Sequence, residues 1–387
     1  MSLLAFWAFW SAVLSLAYTF AGYGWIMRIL ARFRDLPAPI EPPPSHPPVT
    51  VVVVARNEAE RILSRVKNLF ASNYPPEKLR ICVVSDASTD ATTARLQSLQ
   101  DSRLTVLAQP ERRGKTAGLN RALAEITDDV IVLTDARQQF EPDTIARLAA
   151  HFSQSEIGAV SGSLEISRAA SSAGDGIGAY WKGEKALRAA EARWDSCIGC
   201  TGAVYAIWRP LFEPLPEDTV LDDVVIPMRI AMKGFRVLHD PTAIAYDPQP
   251  LEPEAEQTRK RRTLAGNFQM LFRYPEWLIP GQSRLWWQLL SHKYLRLAAP
   301  LFLAAAFLAN LALLTIPFYQ ATFLAQIALY GCAAAGLCLP KMRGKAFALP
   351  AGFVFLNFTV ARAFAHYLFS RELHQWQRSE APGKVSS

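Results

Sequence analysis

The sequence predicts an α/β domain with a mainly parallel sheet, flanked by transmembrane helices. Three observations carry that expectation. From Thr50 onward, five short β-branched runs, TVVVVA, LRICVVS, RLTVLA, DVIVLTD and IGAVSGSL, alternate with amphipathic stretches. Continuous apolar runs of that length suit strands covered on both faces, whereas half-solvated strands would alternate apolar and polar residues. The second observation is charge: no Asp, Glu, Lys or Arg occurs from Met1 to Met27 or from Leu297 to Pro340, while the residues between are ordinarily charged. The third is that polar residues gather just after three of the runs, where open α/β sheets bind ligands.

In chain order, residues 1–35 read as a membrane helix with a basic flank. The apolar stretch is too long for a signal-peptide core and lacks a basic start, so it is expected to stay. Arg28, Arg32 and Arg34 follow it and place the next segment on the cytoplasmic side by the positive-inside rule. Residues 36–49 form a semi-rigid proline linker. Residues 50–270 are the cytoplasmic body. Residues 271–296, with Trp277, Trp286 and Trp287 among Arg284, Lys293 and Arg296, suit the membrane surface. Residues 297–370 supply two or three further spans, a hairpin broken near Pro317 and then a segment from Ala346 that meets Arg362, with a tail at 371–387. The setting implied is a plasma membrane, in a bacterium the inner one.

The composition narrows function. With 51% hydrophobic and 19% charged residues, the 387-residue chain is neither disordered nor fibrous. Five scattered cysteines make no disulfide framework, and the Cys197/Cys200 pair lacks the second pair a zinc site needs. The net charge of +7 concentrates at membrane borders and in two basic runs, without aromatic sheet motifs for RNA, so no nucleic-acid partner is expected. No GxGxxG follows the first strand and no GxxxxGK(S/T) occurs, which removes the usual dinucleotide and P-loop sites. What remains at the strand ends is Arg56, Asn57 and Glu58; then Asp86, Ser88, Thr89 and Asp90; then Asp135. Asp90 and Ser88 are equally well explained as helix caps.

VVVVARNEAERI, VVSDASTDAT, RRGKTAGLNRAL, DVIVLTDARQQFEPD, GCTGAVYAIWR and EDTVLDDVVIPMRIAMKGFRV together resemble the ordered motifs of family-2 glycosyltransferases. The likeness is to the membrane-bound branch that includes cellulose, chitin, hyaluronan and poly-N-acetylglucosamine synthases. It implies a GT-A-type nucleotide-sugar-binding fold and a UDP-sugar donor. Asp86 matches the aspartate at the uracil edge, Glu58 the residue near base and ribose, and Lys115 the basic residue at the nucleotide. Asp135 matches the first aspartate of the DxD motif, which holds Mg2+ or Mn2+ on the diphosphate; the second aspartate is replaced by Arg137, whose guanidinium would hold the diphosphate directly, with the metal kept by Asp135 alone or lost. Asp223 matches the catalytic base, with Asp222 beside it.

Gln257 and Arg261 stand where the family has QxxRW, but without its tryptophan, so processive synthesis is in question. The resemblance thus implies an inverting transferase that forms a β-linkage to a growing polysaccharide or a lipid-linked acceptor. Its partners would be membrane lipids and, for a polymer, export subunits. The competing expectation is a non-catalytic membrane receptor for a nucleotide or nucleotide-sugar.

Overall fold

A computed structural model describes residues 3–34, 46–166, 173–247, 253–339 and 344–369. The proline-rich stretch up to Ser45 and the 371–387 tail lie outside the described residues. The chain forms two compact units, Leu30–Thr258 and Met1–Ile29 with Arg259–Ser370.

The first unit is built on one eight-stranded sheet. Its strands are β1 (Val49–Ala55), β2 (Leu79–Asp86), β3 (Leu104–Gln109), β4 (Val130–Asp135), β5 (Gln139–Phe140), β6 (Ile157–Ile166), β7 (Tyr205–Trp208) and β8 (Arg236–Asp247), in the order β3-β2-β1-β4-β7-β6-β8-β5. The first four pair in parallel and β8 runs parallel to β6, but β7 is antiparallel to both β4 and β6, and β5 to β8. The five expected runs are β1 to β4 and β6; the sheet is mixed because β7 inserts between them. That strand is only four residues long, too short to announce itself. β8 is not among the expected runs: His239, Asp240 and Pro241 interrupt its apolar residues, next to a register shift against β6.

Register decides where the polar strand ends meet. Val54 lies opposite both Val84 and Asp135, so β1, β2 and β4 finish at one edge of the sheet. Valines and isoleucines of those strands, with Ile62, Val66 and Leu69 of the helix Ile62–Phe70, form the buried core beneath that edge. On the helix Lys115–Glu125, Gly118 allows close approach, since a Cβ there would stand 2.8 Å from Val54 Cγ1.

Among the described residues four helices are long and apolar enough to cross a membrane: Leu3–Arg32, whose last three residues belong to the first unit, and Trp286–Ala312, Pro317–Cys338 and Lys345–Phe369 in the second. Leu4 (80% exposed), Leu301 (72%) and Leu349 (68%) lack protein cover, as expected where lipid is the solvent. The helices pack through aromatic contacts, with Phe9 edge-on to Tyr319 at 5.1 Å and Trp287 Nε1 donating to Tyr18 Oη at 2.8 Å. Trp286–Arg296, part of the 271–296 stretch expected at the membrane surface, is continuous with the helix that ends at Ala312. Arg362 lies inside the last helix, over the Phe358 ring.

Candidate active site

The loops after β1 and β2 are stitched together by short polar side chains. Asn57 takes a left-handed backbone (φ 55°), which its side chain tolerates. Its amide oxygen accepts the Thr89 N–H at 2.8 Å, while its own N–H donates to Ser88 Oγ at 3.2 Å. Asp90 accepts from the N–H groups of Thr92 and Ala59, one residue ahead of Ala91, the cap position of the helix Thr92–Gln97, so it ties the two loops together at that helix start. Glu58 is 4% exposed and is paired with Arg61 Nε at 3.0 Å.

Asp86, at the end of β2, is buried, and its two oxygens accept the backbone N–H groups of Arg113 (2.8 Å) and Gly114 (3.0 Å). A carboxylate has further lone pairs for a ligand, but its first work here is to fix this turn. Gly114 has φ 89°, a conformation costly for any residue with a Cβ, and it delivers Lys115 to the first position of its helix.

The Lys115 ammonium lies between two carboxylates, 3.1 Å from Asp135 Oδ1 and 3.2 Å from Asp222 Oδ2. Burial alone would lower its pKa, but Asp135, Asp222 and Asp223 outweigh it and hold the pKa above the usual lysine value. Asp222 and Asp223 occupy the first turn of the helix Asp222–Met232, where backbone N–H groups favour negative charge.

Asp223 is set by the loop before β7. Its Oδ2 accepts the Gly202 N–H at 3.1 Å, and its carbonyl accepts from Cys200 N–H at 2.7 Å. Gly199 has φ 78°, and a Cβ on Gly202 would stand 3.0 Å from Asp223 Oδ2. Cys197 and Cys200 are buried free thiols. Tyr205 is fully buried, with no hydrogen-bond partner for its hydroxyl among the described residues; burial, then Asp222 and Asp223, raise its pKa.

Arg137 does not reach toward Lys115's carboxylates through an ion pair of its own; its guanidinium pairs with Asp247 at the end of β8, at 2.8 Å, where Asp247 is almost fully buried. Ala136 and Arg137 line one side of a polar cavity of about 220 Å³, with Arg61, Ser64 and Arg65 on the other. Arg65 is 1% exposed, donates to Asn68 Oδ1 at 2.7 Å and to Thr134 Oγ1 at 2.8 Å, and lies 4.3 Å from the Phe140 ring centroid. Burial lowers its pKa to about 9, with Asp135 opposing.

The structure therefore brings Lys115, Asp135 and Asp222 into contact, with Glu58 and Asp86 at the same sheet edge and Asp223 next to Asp222. Gln257 and Arg261 lie on the helix Pro253–Arg273, Gln257 in the first unit and Arg261 in the second. Sequence reasoning missed Arg65, Gly202, Tyr205 and Asp247. Only Arg65 left a signal, a cation on the apolar stripe of Ile62, Val66 and Leu69.

Among the described residues no three His, Cys, Asp or Glu side chains are grouped to hold a metal. A hard cation at a diphosphate needs only one or two carboxylates, because phosphate and water complete its shell. Asp135, 42% exposed, suits that role, whereas the guanidinium of Arg137 cannot ligate a cation.

Residues 50–200 match the sequence model described as Glycosyl transferase family 2. A beta-monoglucosyldiacylglycerol synthase of Synechocystis sp. is 25% identical over 70% of this chain and 61% of its own length. An N-acetylglucosaminyltransferase of Rhizobium meliloti is 28% identical over 64% of this chain and 63% of its own. The matches thus span about three-fifths of these relatives' length. A mannosyltransferase from Pyrobaculum calidifontis, solved in complex with GDP-Man and Mn2+, superposes with a TM-score of 0.72 at 27% identity, covering 93% of this chain and 99% of that one. The sheet is accordingly that of a GT-A fold, and residues 50–200 carry the likeness to glycosyl transferase family 2.

Proposed function

We propose that the protein is a membrane-bound inverting glycosyltransferase that moves a sugar from a nucleotide-sugar to a glycan or lipid-linked acceptor. The observation that carries this reading is the Lys115 ammonium between Asp135 and Asp222, with Asp223 beside them at the carboxyl edge of the sheet. Glu58 and Asp86 would flank the base and ribose, and Lys115 would hold the diphosphate. Mg2+ or Mn2+ on Asp135, when bound, supplies positive charge to the departing diphosphate.

Asp223 takes the proton of the acceptor hydroxyl as that oxygen bonds to the anomeric carbon. The bond from the carbon to the diphosphate oxygen breaks with its electron pair leaving on the nucleotide. Attack from the far side inverts the centre, so an α-linked donor gives a β-linkage. The Gly202 N–H keeps the Asp223 carboxylate aimed at one position.

The motifs point to a UDP-sugar, and the similarity to a protein solved with GDP-Man makes a GDP-sugar the second donor to test. A lipid-linked acceptor fits the four apolar helices and the similarity to a protein named for a glucosylated diacylglycerol. The assay is nucleoside diphosphate release by the full chain in detergent, with UDP- and GDP-sugars and with membrane lipid or oligosaccharide as acceptor. Asp223→Asn should lose about 100-fold or more in kcat with donor affinity kept. Equal rates from parent and variant would remove the base from the mechanism. Donor binding without any turnover would favour the receptor reading, which draws on Arg137 in place of a second metal carboxylate.

A further inference from the structure

We propose that Lys115 is the resident counter-cation of the donor site, and that it releases Asp135 to a divalent ion only when a nucleoside diphosphate takes the ammonium in exchange. This rests on the reading of the site as a nucleotide-sugar site, and adds that cation entry is coupled to nucleotide entry.

The geometry is that of a cation already seated. The ammonium contacts carboxylates from two separate elements, Asp135 on β4 at 3.1 Å and Asp222 on its helix at 3.2 Å. It is delivered there by a turn whose two N–H groups are fixed on Asp86 at 2.8 and 3.0 Å. A divalent ion bound to a carboxylate oxygen sits about 2.1 Å from it. With Lys115 Nζ at 3.1 Å from Asp135 Oδ1, an ion on that same oxygen would lie within about 5 Å of the ammonium, and one on the other oxygen of the carboxylate within about 7 Å. Two positive charges at that distance repel, so the nucleotide-free site is poor for the ion.

A diphosphate reverses the balance. It is a charged acceptor for the ammonium, and its oxygens complete the coordination shell that Asp135 alone leaves open. Arg137 is committed to buried Asp247, so the exchange falls to Lys115. Metal and nucleotide then strengthen each other's binding by the same factor, as linkage requires.

The experiment titrates Mn2+ into the full-length protein in detergent and reads free Mn2+ by electron paramagnetic resonance, without nucleotide and then with GDP or UDP. The parent should bind Mn2+ at least about tenfold more tightly with the nucleotide present, a coupling of about 1.4 kcal/mol. The neutral variants Lys115→Met and Lys115→Gln should each bind Mn2+ about tenfold more tightly than the parent without nucleotide, whereas Lys115→Arg should behave as the parent. A neutral variant that keeps the parental melting temperature but binds Mn2+ no more tightly overturns the proposal. Absence of GDP and UDP binding by calorimetry refutes the donor-site reading instead, and the nucleotide-free titration still decides the role of Lys115.

Discussion

Gly202 is the most sensitive lever on the proposed base that leaves every charged group intact. Its N–H donates to Asp223 Oδ2 at 3.1 Å, and a Cβ built on it would stand 3.0 Å from that oxygen and 3.4 Å from both Cβ and Cγ of Asp223. Ordinary contact begins near 3.4 Å, so Gly202→Ala asks the carboxylate to retreat by about 0.4 Å. A misplacement of about 1 Å at a reacting group costs about 100-fold, so on a logarithmic scale 0.4 Å costs about sixfold, close to 1 kcal/mol of barrier. The backbone of Gly202 is not in the left-handed region, so alanine adds no dihedral strain.

The expected result is therefore specific. Steady-state assay of Gly202→Ala should show kcat down about three- to tenfold, an unchanged donor KM and a melting temperature within about 2 °C of the parent. In the Asp223→Asn background the same change should cost almost nothing, because the group it displaces no longer acts as a base. An unchanged kcat in Gly202→Ala, or full additivity with Asp223→Asn, would refute the assignment of that carboxylate as the base held by this loop.

The structure also fixes expectations away from the base. Arg137→Asp restores the two-aspartate pattern but sets a second carboxylate against buried Asp247, so it should cost about 3–5 kcal/mol of stability rather than improve Mn2+ binding; thermal melting together with the Mn2+ titration checks both parts. His239 has its pKa lowered from 6.5 to about 4 by burial, then by Arg188. Between those values the unfolded chain binds the proton that the folded one refuses, so stability is full above pH 6.5 and falls as pH drops toward 4, by about 3 kcal/mol in total. Denaturant melts of the parent and His239→Gln across that window should diverge from a pH-dependent to a flatter profile, and parallel profiles would remove His239 as the cause.

The sequence by itself determined the strands that carry long apolar runs, because burial on both faces of a parallel sheet demands that pattern locally. It also determined that Glu58, Asp86 and Asp135 follow three such strands, and the register confirms that these strands end at one edge, Val54 lying opposite Val84 and Asp135. The four apolar helices were legible for the same reason, since span length and absence of charge are local properties.

Partnership was not legible, because an ion pair depends on which side chains the fold brings within reach. The place of Arg137 in Asp135-Ala136-Arg137 gave no sign of its pairing with Asp247, which β8 and β6 bring to it from the other half of the sheet. Asp86 reads as a base contact, yet the fold first uses its two oxygens on backbone N–H groups. Only the tertiary structure decided that Lys115 stands between Asp135 and Asp222, since a half-buried ammonium goes where carboxylates already converge and those come from a strand and a helix far apart in the chain.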